Sequence, residues 1–127
     1  MQVTEIAFTA YSVTDMKRAR AFYEGVLGLT KSRAFGLEGR ESWIEYDIGP
    51  GCLALVIGGD EWPPSAAGSA AALEVGDLDG FMAKAAGGGV KIIVPIQDYP
   101  PCRMAVVADP DGNRIVLHHR KARPLSS

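Results

Sequence analysis

The stretch Ala108-Asp109-Pro110-Asp111-Gly112-Asn113-Arg114-Ile115-Val116-Leu117-His118-His119 decides how this chain is read. Asp109-Pro110 biases the backbone into a turn, and Asp111-Gly112-Asn113 supplies residues that tolerate positive φ. Beyond the turn, Ile115 and Leu117 alternate with Arg114, Val116 and His118, the period-two pattern of a strand with two unlike faces. Asp109, Asp111 and Asn113 carry oxygen ligands but fall short of the ligand count of a calcium loop, so the turn is read as structural.

A second motif lies near the start: Val13-Thr14-Asp15 leading into Phe22-Tyr23 and Leu27-Gly28-Leu29. Thr14 or Asp15 is suited to cap a helix over residues 16–26, with Met16, Ala19, Phe22, Tyr23 and Val26 on one face. Residues 3–13 read as a strand before it. Strands at 29–35, 42–48 and 52–57 follow, with glycine-rich turns at 36–39 and 49–51. Residues 58–68, with Pro63-Pro64, read as a linker in which Trp62 either pins the segment or lines a pocket.

A second round then begins. A strand is expected at 70–75, a helix at 78–86, and strands at 90–94, 102–107 and 114–118, with 95–101 as a loop. Asp15 and Asp77, Val13 and Val75, Gly25 and Gly87, and Leu53 and Ile115 are each 62 residues apart. A constant offset over half a chain is the mark of an internal repeat. The reading is an α+β fold, one domain over 1–127: module 1 at 3–57, linker 58–68, module 2 at 69–120 and a short tail at 121–127. Each module is strand, helix, three strands. A helix covers only one face of such a mixed sheet, so the other faces are expected to curl around a shared cleft.

Composition narrows the function classes. At 127 residues, 47% hydrophobic and 22% charged, the chain suits an ordinary globular protein. A net charge of −2 gives no footprint for nucleic acid, and the basic cluster Arg120, Lys121 and Arg123 reads as a solvated terminus. No apolar run reaches the length of a membrane span, and no charged region followed by a long apolar stretch opens the chain. A cytoplasmic location is expected, with Cys52 and Cys102 as thiols rather than a bridge. Neither a phosphate loop nor a nucleophile elbow is present.

Val13-Thr14-Asp15, Phe22-Tyr23, Leu27-Gly28-Leu29 and Asp109 to Asn113 together resemble the vicinal oxygen chelate superfamily, the group of glyoxalase I, bleomycin- and fosfomycin-resistance proteins and extradiol dioxygenases. The resemblance implies paired βαβββ modules, usually in a homodimer. In its metal-dependent members four strand positions supply His, Gln or Glu to a divalent metal. Here those positions carry Phe8, Ala54, Ala70 and Val116. None has a lone pair that a cation could use, so no metal cofactor is expected.

What remains is an apolar floor with a few polar groups, the usual make-up of a small-molecule site. Ala10, Ser12, Cys52, Val56, Ala72, Glu74, Arg114 and His118 are placed on the same faces. Trp43, Tyr46, Trp62 and Tyr99 are candidates for stacking on a flat ligand. Glu45 and Glu74 have Arg103 and Arg114 as possible partners, either bridging the modules or capturing a charged ligand. His118 is a candidate acid, base or hydrogen-bond donor, or else a solvated strand-end residue. The candidate ligand-binding set is thus Phe8, Ala10, Trp43, Ala54, Trp62, Ala70, Glu74, Tyr99, Arg103, Arg114, Val116 and His118, with His118 and Glu74 as the candidates for any catalysis. Two functions stay open. One is metal-independent binding of a small, partly apolar or aromatic molecule, as a sequestering protein does. The other is a lyase, isomerase or dioxygenase of the same superfamily.

Overall fold

The structure, a computed structural model, describes residue 2 and residues 4–122. It divides into two units between Ser65 and Ala66. Unit 1 contains β1 (Thr9–Val13), α1 (Met16–Arg20) running on into a π-helical stretch (Ala21–Val26), β2 (Lys31–Leu37), β3 (Arg40–Ile48), β4 (Gly51–Ile57) and a 3-10 turn (Gly59–Glu61). Unit 2 contains β5 (Ala71–Glu74), α2 (Leu78–Gly87), β6 (Ile92–Asp98), β7 (Cys102–Ala108) and β8 (Arg114–Arg120). The sheets are ordered β1-β4-β3-β2 and β5-β8-β7-β6. In each, the first strand runs parallel to the last and the other pairings are antiparallel. The fold is α+β, built from two four-stranded mixed sheets.

Both helices start on an aspartate. Asp15 Oδ1 accepts the Arg18 N–H at 3.1 Å, and Asp77 Oδ1 accepts the Gly80 N–H at 3.0 Å. Such a cap stabilises a helix by roughly 1 kcal/mol. In unit 1, Met16, Ala19, Phe22 and Tyr23 are buried over Tyr11, Val13, Ile44, Tyr46, Leu53 and Leu55. The Tyr23 ring lies 6.3 Å from that of Tyr46 and 6.2 Å from that of Tyr11. In unit 2, Leu78, Met82 and Ala85 form the buried stripe of α2, and Ala105, Val107, Ile115 and Leu117 are the buried side chains of β7 and β8. Alternation along the strands leaves the opposite face of each sheet without a helix.

The repeat is visible in the register. Thr9 pairs with Leu53 and Ala71 with Ile115; Ser12 pairs with Val56 and Glu74 with His118. All four residues move by 62. After α1 the offset drops to 61. Gly28 and Gly89, both at positive φ (72° and 78°), are 61 apart. So are Glu45 and Val106, which face Ala54 and Val116. The π-helical stretch explains the change: its hydrogen bonds close over five residues, as in Leu27 N–H to Phe22 C=O at 3.0 Å. It therefore holds one residue more than an α-helix would in the same place. The count is restored between β7 and β8. There the Asp109 N–H bonds the Asn113 carbonyl around three residues, where Ile48 pairs with Gly51 around two.

The turn of the opening stretch is self-contained. Asp109 Oδ1 accepts from the N–H groups of Asp111 and Asn113, both at 2.9 Å, and Oδ2 accepts from Asn113 Nδ2 at 2.8 Å. Asp109 and Asn113 are 4% and 3% exposed. Both carboxylate oxygens hold the turn closed.

The first strand and β6 differ most from the sequence reading. The first strand spans only Thr9–Val13, because β1 is an edge strand whose sole partner, β4, pairs no further back. Val3, where that strand was expected to begin, lies outside the described residues, as does Arg123 of the basic tail. β6 covers Ile92–Asp98 rather than ending at Val94, so most of the expected 95–101 loop is strand. Pro95 is tolerated because β6 is an edge and its register breaks between Val94 and Gln97.

Candidate functional site

Each sheet offers its helix-free face. In unit 1, Ala10 pairs with Ala54, Ala54 with Glu45, and Glu45 with Arg33. Val56 pairs with Trp43 and Trp43 with Phe35. Paired residues share a side, so these seven line one face. Phe8 precedes β1 and joins them: its ring meets Trp43 edge-on, centroids 5.2 Å apart at 88°. Ala54 is fully buried, whereas Phe8 and Phe35 are 44% and 54% exposed. The result is an aromatic shelf over alanines.

A charged row runs along this shelf. The Trp43 indole N–H donates to Glu45 Oε2 at 2.7 Å. Arg33 donates to the other oxygen of Glu45 and grips Asp47 with both terminal nitrogens, at 2.6 and 3.1 Å. Arg33, and then Trp43, hold the Glu45 carboxyl below the usual carboxylate range; Arg33 does the same to Asp47. The guanidinium in turn is pushed further up by Asp47 and Glu45. The sequence reading left Arg33, Phe35 and Asp47 out. The Arg33, Phe35, Leu37 alternation was a signal for them, blurred by two register shifts in β2.

Trp62 belongs to unit 1. Its carbonyl accepts from the Ser12 hydroxyl, and its side chain is 43% exposed. A Cβ on Gly58 would come within 3 Å of both Trp62 and Ser12. Only glycine lets the chain fold back this closely, so the backbone of Trp62 is pinned to β1.

In unit 2 the helix-free face carries Ala72, Glu74, Val116, His118, Met104 and Val106, linked through the β5–β8 and β7–β8 registers. Arg114 shares it by alternation, opposite Ala108. Ala70 stands one residue before β5 and is exposed. Glu74 Oε1 lies 2.6 Å from His118 Nδ1, and Glu74 Oε2 accepts the Arg120 N–H at 2.6 Å. The Arg120 N–H first, and His118 second, hold the Glu74 carboxyl below its usual range.

Three expected roles change. Arg103 leaves the set: it pairs with His119, on the side opposite Met104 and His118, and donates to both oxygens of Asp79 on α2 at 2.8 and 2.9 Å. Tyr46 is not available for stacking, being fully buried on the helix side with its hydroxyl donating to Glu24 at 2.9 Å. Tyr99 sits in the β6–β7 turn, where its backbone bonds Cys102 in both directions and its side chain is 44% exposed. Glu45 and Glu74 find Arg33 and His118, within their own units, in place of Arg103 or Arg114. His118 and His119 point to opposite sides, as adjacent strand residues must; His119 Nδ1 lies 2.8 Å from the Val75 carbonyl.

On the helix side of unit 1, a groove of about 810 Å³ opens between the helix and the β2–β3 hairpin, with Met16, Arg20, Glu24, Lys31, Ala34 and Glu41 among its lining. None of these was a candidate from sequence. Its charges are partly spoken for: Arg20 binds Glu24 at 2.6 Å, and Glu41 accepts the Gly39 N–H.

A family model described as the glyoxalase/bleomycin resistance protein/dioxygenase superfamily matches residues 5–117. The chain belongs to that superfamily. Among solved structures, TnmS3, an antibiotic binding protein from Streptomyces sp. CB03234, is 25% identical, with a TM-score of 0.76 over 95% of this chain and 99% of its own. A putative glyoxalase family protein from Bacillus anthracis is 22% identical, TM-score 0.75, over 95% and 98%. TioX from Micromonospora sp. ML1 is 22% identical, TM-score 0.73, over 94% and 99%. No curated protein matches the chain.

At the four positions where the resemblance places metal donors, this chain carries Phe8, Ala54, Ala70 and Val116. Phe8 and Ala54 are on the helix-free face of unit 1, and Val116 is on that of unit 2, with Ala70 just before β5. All four are hydrocarbon. Among the described residues, no three His, Cys, Asp or Glu side chains gather as a metal site requires. Among those residues, too, no helix is long and apolar enough to cross a membrane.

Proposed function

We propose that this chain binds a small, partly apolar or aromatic organic molecule on the helix-free faces of its sheets, without a metal. The observation that carries the reading is the replacement of donor side chains by Phe8, Ala54, Ala70 and Val116. A hydrocarbon surface flanked by a few fixed polar groups suits an organic guest and offers a divalent ion nothing to exchange for its water. The aromatic shelf adds direction. Phe8 and Trp43 already pack edge to face, and Phe35 stands beside Trp43 with half its surface exposed. A flat ring system laid there gains stacking beyond its area burial, of order 1 kcal/mol per ring pair. The likeness to an antibiotic binding protein supports the same class of ligand.

Isothermal titration against a panel of polycyclic aromatic antibiotics tests this, together with metal analysis of the purified protein. Saturable binding at one ligand per chain, with the compound recovered unchanged and no stoichiometric metal, is expected. Stoichiometric zinc, nickel, manganese or iron would overturn the metal-free reading. A panel without a single binder would overturn the ligand class.

A further inference from the structure

We propose that His118 is a proton acceptor for an acidic hydroxyl of the ligand, a phenol or an enol, and that Glu74 is the positioning residue that makes it one. The inference rests on the small-molecule reading above and sharpens it by naming the polar group the guest carries.

Glu74 is the last residue of β5. Its carboxylate is held at both oxygens, by His118 Nδ1 and by the Arg120 N–H, each at 2.6 Å. An ionised carboxylate only accepts hydrogen bonds. The His118 nitrogen facing it must therefore carry a proton. In a neutral imidazole the other nitrogen, Nε2, is then an acceptor with its lone pair in the ring plane. The tautomer is set by the partner, the same device by which carboxylates orient metal-binding histidines. Here no donor set for a metal accompanies it.

The surroundings decide what that lone pair can take. Val116, Ala72, Met104 and Val106 form a hydrocarbon floor around the ring on its own strand and on both neighbours. A ligand hydroxyl brought over such a floor loses water and must find a partner. The titratable and charged groups sharing this face are Glu74 from β5, Cys102 from β7, and Arg114 and Arg120 from β8; β6 contributes the neutral Gln97. A ligand carboxylate has no proton to give at neutral pH. An ordinary alcohol is too weak an acid to release one. A phenol or enol satisfies both conditions. Its O–H bond breaks as an N–H bond forms at Nε2. The electron pair stays on oxygen, leaving a phenolate beside an imidazolium, and nothing is oxidised or reduced.

Alizarin, whose hydroxyl ionisation changes its colour, and anthraquinone, which has no hydroxyl, serve as probes, with binding read by equilibrium dialysis. The wild-type protein is expected to bind both and to lower the midpoint pH of the alizarin colour change at least tenfold in proton concentration. His118→Phe and Glu74→Gln should return the midpoint to that of the unbound dye, and His119→Phe should leave it lowered. Binding of both probes with no shift in the wild type, or an undiminished shift in His118→Phe, would overturn the proton inference and leave the small-molecule reading standing. Binding of neither probe would overturn that reading and this inference with it. Should the variants unfold, long-range proton–nitrogen spectra of the wild type still decide: the two histidines give two ring systems, and a His118 protonated at Nε2 rather than Nδ1 would sink the proposal.

Discussion

The two helix-free faces share a register and almost nothing else. Position for position, Ala10, Ala54 and Val56 in unit 1 answer Ala72, Val116 and His118 in unit 2. Unit 1 adds Phe8, Trp43 and Phe35 and a caged arginine; unit 2 adds aliphatics and a histidine clamped by a glutamate. The helix sides, by contrast, stay alike in kind: Leu53 and Leu55 answer Ile115 and Leu117, and Asp15 answers Asp77. The repeat is kept where it closes a core and has diverged on the faces proposed to take a ligand. Fold and site are written on opposite faces of the same strands.

The largest expected effect tests the conserved side of this comparison. Leu55 and Leu117 are both fully buried, 62 residues apart, each on the last strand of its unit. Leu55→Ala and Leu117→Ala should each cost about 2–5 kcal/mol, the range for a buried leucine that leaves a cavity. Urea unfolding of the two variants is the measurement. Equal costs sharpen the symmetry; a negligible cost in either breaks it.

The next effect separates the two helices. Deleting Gly25 from the π-helical stretch should convert it to α-helix and make the offset 61 on both sides of the first helix, at a cost of order 1 kcal/mol. Deleting Ala83 from α2 has no such slack to use. It would turn every later residue by about 100°, carrying Ala85 off the buried stripe, and should cost several times more. Circular dichroism during urea titration compares the two.

These tests also mark what the sequence could and could not reveal. Period-two alternation made the strands and their faces legible, and Ala10, Ala54, Val116 and His118 lie on the sides expected of them. The 62-residue offset was legible because Val13 with capping Asp15 and Val75 with capping Asp77 repeat without ambiguity. The one-residue surplus in the first helix was not, since Met16, Ala19, Phe22 and Tyr23 fit helical spacing before the extra residue takes effect. Arg103 was misplaced because it is next to Met104, and its partner Asp79 lies 24 residues away on a different element. Arg33 and Phe35 were missed because bulges break the alternation that would have exposed them.

On the ligand side the expected effects are smaller. Phe8→Ala removes the edge-on contact with Trp43, worth about 0.5–1.5 kcal/mol. Affinity for whichever panel compound binds the wild type should fall by about threefold to tenfold, read by isothermal titration. Val116→Ala on the unit 2 face removes two methyl groups and no ring contact, so its loss should be the lesser of the two. A reversed order would mean that the aromatic shelf is packing only.

The smallest effect concerns pH, and the comparison locates it. Arg20, at 2.6 Å, is the chief reason that the Glu24 carboxyl lies below its ordinary value of 4.5, and the Tyr46 hydroxyl contributes as well. The folded state therefore binds fewer protons than the unfolded chain just below pH 4.5. Stability from this group is present above that pH and is lost as the pH falls through the depressed folded value. Unit 2 has no buried counterpart: Ala86 stands 62 residues on from Glu24, and its ion pairs Asp79–Arg103, Asp98–Lys121 and Glu74–His118 leave about half or more of each carboxylate side chain in water, where such pairs count for little. Acid should thus loosen unit 1 before unit 2. Glu24→Gln should lower the urea midpoint at pH 6 and bring it close to that of the wild type at pH 3, with amide exchange in α1 and β3 showing the change and α2 and β7 unaffected. A midpoint gap that persists unchanged at pH 3 would mean that Glu24 stabilises the helix by packing, and that the Arg20–Glu24–Tyr46 chain contributes no charge to the fold.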